Sequence, residues 1–133
     1  MDARIKVDKY VRQSTHYLRN ASKFIDAGNS DKASEFLWGS MAQALKAVAA
    51  SNGILLRSHR QIWNYAESLT KELKDKGIYD SFLHANFLHN NFYESELELK
   101  DVRRMAEDIR MAVGKLLSLI SGDNEETEPR GGS

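Results

Sequence analysis

The sequence contains no cysteine and only one proline, and its apolar runs are only a few residues long. Without cysteine, a disulfide framework, a cysteine-type zinc site and a thiol nucleophile are all excluded. A helix that crosses a bilayer needs roughly 20 apolar residues, and the N-terminus has no apolar signal core. We therefore expect a soluble, cytoplasmic protein that makes no contact with a membrane.

The chain has 133 residues with 19 basic and 19 acidic side chains, so its net charge is zero. This length predicts one domain that holds together without a structural metal, and zero net charge argues against a generic nucleic-acid binder. The charge is uneven, because residues 1–60 carry ten Lys or Arg against five Asp or Glu, and residues 61–133 carry nine against fourteen. Solvated faces of opposite sign, which help the halves or two subunits pair, explain this better than a nucleic-acid footprint does.

Apolar residues recur every three or four positions along most of the chain, which is typical of amphipathic helices. The single proline, Pro129, lies near the C-terminus and interrupts none of these patterns. They predict four long helices and one short helix, and therefore an all-α, antiparallel bundle of four to five helices. We expect residues 1–122 to form one domain and the acidic residues 123–133 to form a disordered tail.

Capping signals and glycines give the expected bounds of the helices. Ser58 with Gln61 and Ser95 with Glu98 have the spacing of capping boxes, which open the third and fifth helices. Small residues surround the apolar stripe of the second helix, so this helix is expected to be central. Asn29 or Ser30 opens the second helix, Asp80 or Ser81 opens the fourth, and the ends of the first, third and fifth lie at Gly28, Gly77 and Gly122.

Most signatures of cofactor and metal sites are missing from the sequence. It has no Gly-rich phosphate loop, no G-x-S-x-G, no H-E-x-x-H and no E-x-x-H pair of the di-iron type. His84 and His89 are five positions apart, which turns a helix by about 500 degrees and leaves the two side chains roughly 140 degrees apart. Two histidines so arranged do not share one ion, and we expect neither a metal nor a cofactor.

The most informative segment is NFLHNNFYE at residues 86–94, which places asparagine and histidine between aromatic residues. These are mediocre helix formers, and such local inconsistencies tend to fall at functional or specially packed sites. In one interpretation, the polar side chains form a buried hydrogen-bond network and Phe87 and Phe92 belong to the core. In the other, the segment lines a polar cleft in which a histidine can move a proton. The cleft residues would be His89, Asn90, Asn91, Tyr93 and Glu94.

The pieces DKASEFLWGSMAQALKAVA (31–49), SHRQIW (58–63) and ANFLHNNFYE (85–94) resemble the archaeal PaREP family. Its members share a second helix with an A-S-x-x-x-W-G pattern, a third-helix start like S-H-x-x-L-W and an L-H-x-N-F-Y-E signature, and the resemblance covers residues 15–120. The family is similar to the higher eukaryote and prokaryote nucleotide-binding (HEPN) domains, which are usually dimeric helical bundles and include many metal-independent ribonucleases. The resemblance therefore implies a HEPN-like homodimer and a nucleotide or RNA ligand.

The catalytic motif of that larger group is an arginine, four to six further residues and then a histidine, often with an asparagine directly after the arginine. On this chain His89 takes the histidine position and His84 stands five residues before it, so the arginine is missing. An arginine is always charged and forks onto phosphate oxygens, which a histidine does only in part. A cation from another helix would have to replace it: Arg57, Arg60 or Lys46.

Two functions follow from these observations. The first is a module that binds a nucleotide, an RNA end or a partner protein without turnover, with ligand contacts from His59, Arg60, Asn90, Asn91 and Glu94. The second is a metal-independent ribonuclease with His89 as general acid or base, assisted by His84 and Tyr93. The missing arginine and the neutral net charge favour the first.

Two spatial predictions accompany these functions. His59 is expected near the 89–94 segment, because both place a histidine beside an aromatic residue at a polar helix end; alternatively, His59 is an ordinary exposed residue of a first helical turn. The chain is also expected to form a twofold dimer, because a bundle of this size cannot easily cover all of its aromatic residues. These aromatic residues are Trp38, Tyr10, Tyr17 and Phe24, which could instead be boundary residues of a monomer.

Overall fold

The computed structural model describes residues 3–91 and 97–127, and all regular structure in these two ranges is helical. The predicted all-α bundle is confirmed. Within these ranges, no helix is both long enough and apolar enough to span a membrane. The helices are α1 (Ala3–Asp26), α2 (Ser30–Ser51), α3 (His59–Leu73), α4 (Lys76–Asn91) and α5 (Leu99–Thr127).

The starts of α2 and α3 follow the predicted capping residues. Asn29 caps α2 by accepting a hydrogen bond from the backbone N–H of Lys32 at 3.0 Å. Ser58 caps α3 by accepting one from the backbone N–H of Gln61 at 3.1 Å. The Gln61 side chain accepts from the N–H of Arg57 at 2.6 Å, one residue before the cap. The two side chains thus satisfy backbone donors in the manner of a capping box.

The predicted junction of α3 and α4 at Gly77 is wrong. Helix α3 ends at Leu73, because Lys74 takes a left-handed conformation (φ 54°) and its N–H bonds back to the Thr70 carbonyl. Helix α4 begins at Lys76, ahead of the predicted Asp80 or Ser81. The Asp75 carboxylate accepts from the N–H of Gly77 at 3.0 Å, so it caps α4 in the way that asparagine caps α2.

The predicted end of α5 at Gly122 is also wrong, because the helix continues to Thr127. One glycine costs a helix only about 1 kcal/mol relative to alanine, which a long helix tolerates. Residues 123–127 of the predicted tail are therefore helical. Residues 128–133 of that tail, and the predicted cap residue Ser95, lie outside the described residues.

Helix α2 is central, as predicted, and it packs against every other helix. Its alanines and larger apolar residues are buried on more than one side, since several neighbouring helices cover it, while Asp31, Lys32 and Glu35 near its start are exposed. The largest buried side chains of α2 are Leu37, Met41 and Leu45. A helix that is covered on several sides positions the others, because each of them is placed relative to the same helix.

Helices α1 and α2 approach each other closely along a line of small and polar residues. The Ser14 hydroxyl donates to the Ser40 carbonyl at 2.8 Å, and the Ser40 hydroxyl donates to the Ser14 carbonyl at 2.8 Å. One position before Ser40, the ring of Tyr17 lies against Gly39, where an added Cβ would stand 2.9 Å from a ring carbon. The reciprocal serine bonds satisfy both buried hydroxyls, and the glycine leaves room for the tyrosine.

The expectation that a monomer would leave its aromatic residues uncovered is not met. Phe24 stacks on Phe36 with ring centroids 5.6 Å apart, and Tyr17 packs on both Phe36 and Gly39. Tyr10 is partly buried against the core. These residues belong to the boundary of one bundle, so they supply no argument for a dimer.

We predict that alanine at Gly39 and alanine at Gly114 have different effects on stability. Both substitutions gain about 1 kcal/mol of helix propensity, but an added Cβ at Gly114 meets nothing within 4 Å, whereas one at Gly39 meets Tyr17. Overpacking of this kind costs roughly 1–3 kcal/mol. Urea unfolding should therefore find Gly39→Ala less stable than Gly114→Ala by about that amount. Equal stabilities would show that the approach of α1 to α2 is looser than described.

Candidate functional site

Three rings from three helices meet where α3 begins and α4 approaches its end. Trp38 of α2 lies with its ring centroid 4.8 Å from that of His89 on α4 and 5.1 Å from that of His59 at the start of α3. The two imidazole centroids are 6.1 Å apart. We call Trp38, His59 and His89 the tryptophan–histidine cluster. The predicted proximity of His59 to His89 is confirmed.

The two imidazoles of the cluster lie beside each other against the indole. Their planes are inclined by 21° to each other, and the plane of His89 is inclined by 22° to that of Trp38. If Trp38 lay between them, the imidazole centroids would be much farther apart than 6.1 Å. His59 is exposed to solvent, while Trp38 and His89 are half-buried. The cluster therefore presents two neighbouring imidazoles to solvent above an aromatic base.

A second layer of aromatic rings supports the cluster from below. Phe82 of α4 is fully buried, with its centroid 5.9 Å from that of Trp38 and 5.3 Å from that of Trp63, which it meets edge to face. The indole N–H of Trp63 donates to the Tyr79 hydroxyl at 3.2 Å. Edge-to-face packing together with a hydrogen bond orients an indole more strictly than packing alone.

A pocket of about 470 Å³ opens beside the cluster, and His59, Arg60 and Trp63 line it. Its volume lies in the range of small-molecule sites, about 300–1,000 Å³. Arg60 is exposed and forms no ion pair with any residue in the described ranges. Of the three cations expected to replace the missing arginine, Arg60 therefore lies at the site. Arg57 and Lys46 do not line this pocket.

The pKa of His89 is lowered from its ordinary value. Burial against Trp38 penalises the charged imidazolium most, and the neighbouring His59 lowers the pKa further because two positive rings repel each other. The lowered pKa keeps His89 neutral near pH 7, so one of its ring nitrogens can accept a proton. Such a shift in a residue beside a pocket is one mark of a functional site.

His84, expected to assist His89, lies elsewhere. Its Nδ1 faces Asp108 of α5, with 3.5 Å to a carboxylate oxygen, and it lines a different pocket of about 460 Å³ between α4 and α5. This distance is too long for a good hydrogen bond, and the buried Nδ1 has no hydrogen-bond partner among the described residues. His84 and His89 are therefore on different faces of α4, as their spacing predicts.

The remaining residues of the predicted cleft are only partly described. Asn90 is exposed in the last turn of α4, and Asn91 ends that helix. Tyr93 and Glu94 lie outside the described residues. Phe87 is 44% exposed, so its predicted place in the core is wrong, and Phe92 lies outside the described residues.

Sequence reasoning missed the role of Trp38 in holding the two histidines together. Its place in the A-S-x-x-x-W-G pattern marked it as part of the resemblance, but periodicity along α2 does not show which helix it faces. Trp63 and Tyr79 were missed for the same reason, since they meet across 16 positions of sequence.

No three His, Asp or Glu side chains in residues 3–91 and 97–127 are grouped so that they could hold a metal ion. The rings of the cluster provide planar surfaces for stacking, and its imidazole nitrogens can form hydrogen bonds and transfer protons. Arg60 provides a guanidinium for an anion.

Fold and site together define an all-helical bundle with an aromatic and imidazole site between α2, α3 and α4. The chain belongs to the archaeal PaREP1/PaREP8 family, whose sequence model matches residues 9–113. Its fold is similar to the crystal structure of a protein from Sulfolobus solfataricus, with a TM-score of 0.70 and 21% identity over 80% of this chain and 94% of that chain. No curated protein matches this sequence. The resemblance to the PaREP family is thus confirmed, and the structural likeness shows the fold.

We predict that His59→Gln raises the pKa of His89 toward the ordinary value of about 6.5 without reaching it. The substitution removes the repulsion from His59, but the larger cause, burial, remains. NMR titration of the imidazole ring protons measures the pKa of His89 in the wild type and in His59→Gln. The matched control is His16→Gln, on the exposed face of α1. A His89 pKa that stays unchanged in His59→Gln would show that the two rings are not coupled.

The same shift predicts the sign of the pH dependence of stability. Because the pKa of His89 is lower in the folded state, the unfolded chain binds more protons below about pH 6.5. The contribution of His89 to the free energy of unfolding is thus complete above that pH and falls as the pH decreases toward the folded-state value.

Proposed function

We propose that this protein is a cytoplasmic, HEPN-like module that binds a nucleotide or the end of an RNA strand at the tryptophan–histidine cluster without turnover. The observation that carries the proposal is the meeting of Trp38, His59 and His89 within 6.1 Å beside the pocket that Arg60 lines. A nucleotide combines a flat base with an anionic phosphate, and this site offers partners for both.

The base of such a ligand would stack on rings at the pocket. His59 and Trp63 both line it, with centroids 6.1 Å apart. Stacking of a base on an aromatic side chain is worth about 1–3 kcal/mol and accepts every base. Trp38 is already covered by the imidazoles, so its role is to hold them in place.

The phosphate would bind at Arg60. A guanidinium forms paired hydrogen bonds to phosphate oxygens and stays charged at every physiological pH. Arg60 is available for this purpose because the described residues offer it no carboxylate partner. It follows His59 directly on α3, so the phosphate and the base would be held by adjacent residues.

Intrinsic fluorescence provides a direct test, because both tryptophans of the chain lie at this site. Titration with AMP and with a short RNA should change the tryptophan emission saturably. Arg60→Ala should weaken binding about tenfold or more, since a hydrogen bond to a charged group contributes about 1.5–3 kcal/mol. Arg103→Ala, at another pocket between α1 and α5, is the matched control. Equal affinities of both variants would exclude the site.

A ribonuclease is the second candidate, and the pairing of two imidazoles favours it. His89, kept neutral by its lowered pKa, could serve as the general base, and His59 at 6.1 Å could serve as the acid. The same labelled RNA, incubated in EDTA, distinguishes the candidates. Intact RNA supports binding without turnover, whereas cleavage that is lost in His89→Ala supports the enzyme.

We also propose that the protein is a homodimer, with the exposed apolar residues of α4 and α5 in the interface. Phe87 is 44% exposed and Met111 is 58% exposed, and burying them would remove apolar surface from water. Light scattering should find about twice the 15.1 kDa of one chain. Phe87→Glu should restore the monomer, and Ile54→Glu, in a loop residue that is 45% exposed, should not. A wild-type mass of one chain would refute the dimer.

A further inference from the structure

The outer face of α1 carries a regular line of basic side chains. Lys9, Arg12, His16, Arg19 and Lys23 follow one another at spacings of three and four residues, and all five are exposed. These spacings keep them on one side of the helix, and with a rise of 1.5 Å per residue the line is roughly 21 Å long. We call these five residues the α1 basic stripe.

The opposite face of α1 holds the helix against the bundle. Val7, Ser14, Ala21 and Ile25 are buried, and Ser14 forms the reciprocal hydrogen bonds with Ser40 of α2. The orientation of α1 is therefore fixed by its inner face. The basic stripe points into solvent, and the fixed helix keeps the attachment points of its side chains at a constant spacing.

The stripe has no acidic counterpart within the described residues. The ion pairs there join His84 to Asp108, Lys100 to Glu98, Arg110 to Glu107 and Lys115 to Asp75, and none of these residues lies in α1. His16 has a polar neighbour in Asn20, at 3.2 Å between ring and amide nitrogens.

Like charges three or four residues apart repel each other and destabilise a helix by about 0.2–0.5 kcal/mol per pair. The stripe contains two such pairs of permanent cations, Lys9 with Arg12 and Arg19 with Lys23, and Lys6 forms a third pair with Lys9. The acidic residues of α1 among the described ones, Asp8 and Asp26, form no ion pair with the stripe. These like-charged pairs do not help the protein to fold, because α1 is attached to α2 by its inner face alone.

We propose that the α1 basic stripe binds the phosphodiester backbone of a nucleic-acid strand. A strand carries negative charges at regular intervals, so a line of basic side chains on a fixed helix can neutralise several successive phosphates. Zero net charge does not oppose this, because the acidic excess lies in residues 61–133. The proposal is independent of the tryptophan–histidine cluster, because a single nucleotide is enough to fill the site proposed there.

A membrane surface fits the stripe less well than a nucleic-acid strand does. A helix that binds lipid at the interface inserts an apolar face beside its basic one. The apolar face of α1 is buried in the bundle and covered by α2. Apart from Ile5, which is 54% exposed near the start of the helix, the solvent-facing side of α1 is polar and charged. It therefore matches a partner that offers charge without an apolar interior.

The salt dependence of binding tests the proposal. For a single strand, the logarithm of the affinity falls against the logarithm of salt concentration with a slope of about −0.7 for each phosphate neutralised. Fluorescence anisotropy of a labelled 20-residue oligouridine measures this slope. The double variant Arg12→Gln/Arg19→Gln should make it shallower by about 1.4, since two contacts are lost.

The matched control is Lys71→Gln/Arg104→Gln, which removes two exposed cations from α3 and α5 and changes the net charge equally. Its slope should equal that of the wild type. Equal slopes in both double variants would overturn the proposal, as would the absence of oligouridine binding at low salt. Arg60→Ala, with the stripe intact, separates the two sites, because it should weaken binding but retain most of the slope.

Three further measurements distinguish other uses of the stripe. Binding to duplex DNA with the same variant dependence would assign the stripe to phosphodiester backbones in general and support the proposal. Equal or stronger binding to phosphatidylserine vesicles would overturn it in favour of a membrane. A wild-type dimer that dissociates in Arg12→Gln/Arg19→Gln would overturn it in favour of an acidic face on a second copy. Far-ultraviolet circular dichroism should show that each variant is folded, because exposed substitutions usually change stability by less than about 0.5 kcal/mol.

Discussion

The close packing of α1 on α2 is the constraint on which the rest of the structure depends. Gly39 lets the ring of Tyr17 lie directly on the α2 backbone, and the paired bonds of Ser14 and Ser40 fix the two helices beside this contact. With α1 on that side, the neighbouring Trp38 is turned by about 100 degrees around α2. That turn brings its indole to α3 and α4, where it meets His59 and His89.

The same packing separates two kinds of surface on one small domain. The inner face of α1 is committed to α2, and the five residues of the α1 basic stripe form no ion pair with any described residue. Farther around α2, aromatic rings and imidazoles gather beside Arg60. A net charge of zero conceals this division, because average composition carries no information about which face a charge occupies.

The sequence alone predicted the class of the fold and most of its helices, because their apolar periodicity and caps are local signals. It failed at Gly77, since Lys74 adopts a left-handed conformation that lysine takes only rarely. A glycine inside the next helix was thus mistaken for the end of the previous one. Local rules predict where a helix is able to end, and tertiary context selects where it does end.

The candidate site was predicted less completely, because its residues come together only through packing. His59 and His89 were expected to meet, since each lies at a polar helix end beside an aromatic residue. Trp38, which joins them, belongs to a helix whose small residues allowed a neighbour on several sides, so its direction could not be inferred. The separation of His84 from His89, in contrast, could be predicted from the sequence. A spacing of five residues on one helix places the two side chains on different faces without any tertiary contact.

The poor helix formers at the end of α4 take on a physical meaning from this arrangement. Asparagine and histidine weaken the last turns of a helix, and the buried Oδ1 of Asn86 has no hydrogen-bond partner within the described ranges. What holds this segment is tertiary: Ala85 and Leu88 are fully buried, and the ring of His89 stacks on Trp38. When a helix end is held mainly by side-chain packing, its stability depends on what binds those side chains. Any ligand that binds the cluster only when α4 is formed must therefore stabilise the helix end, by an amount set by its concentration relative to its dissociation constant.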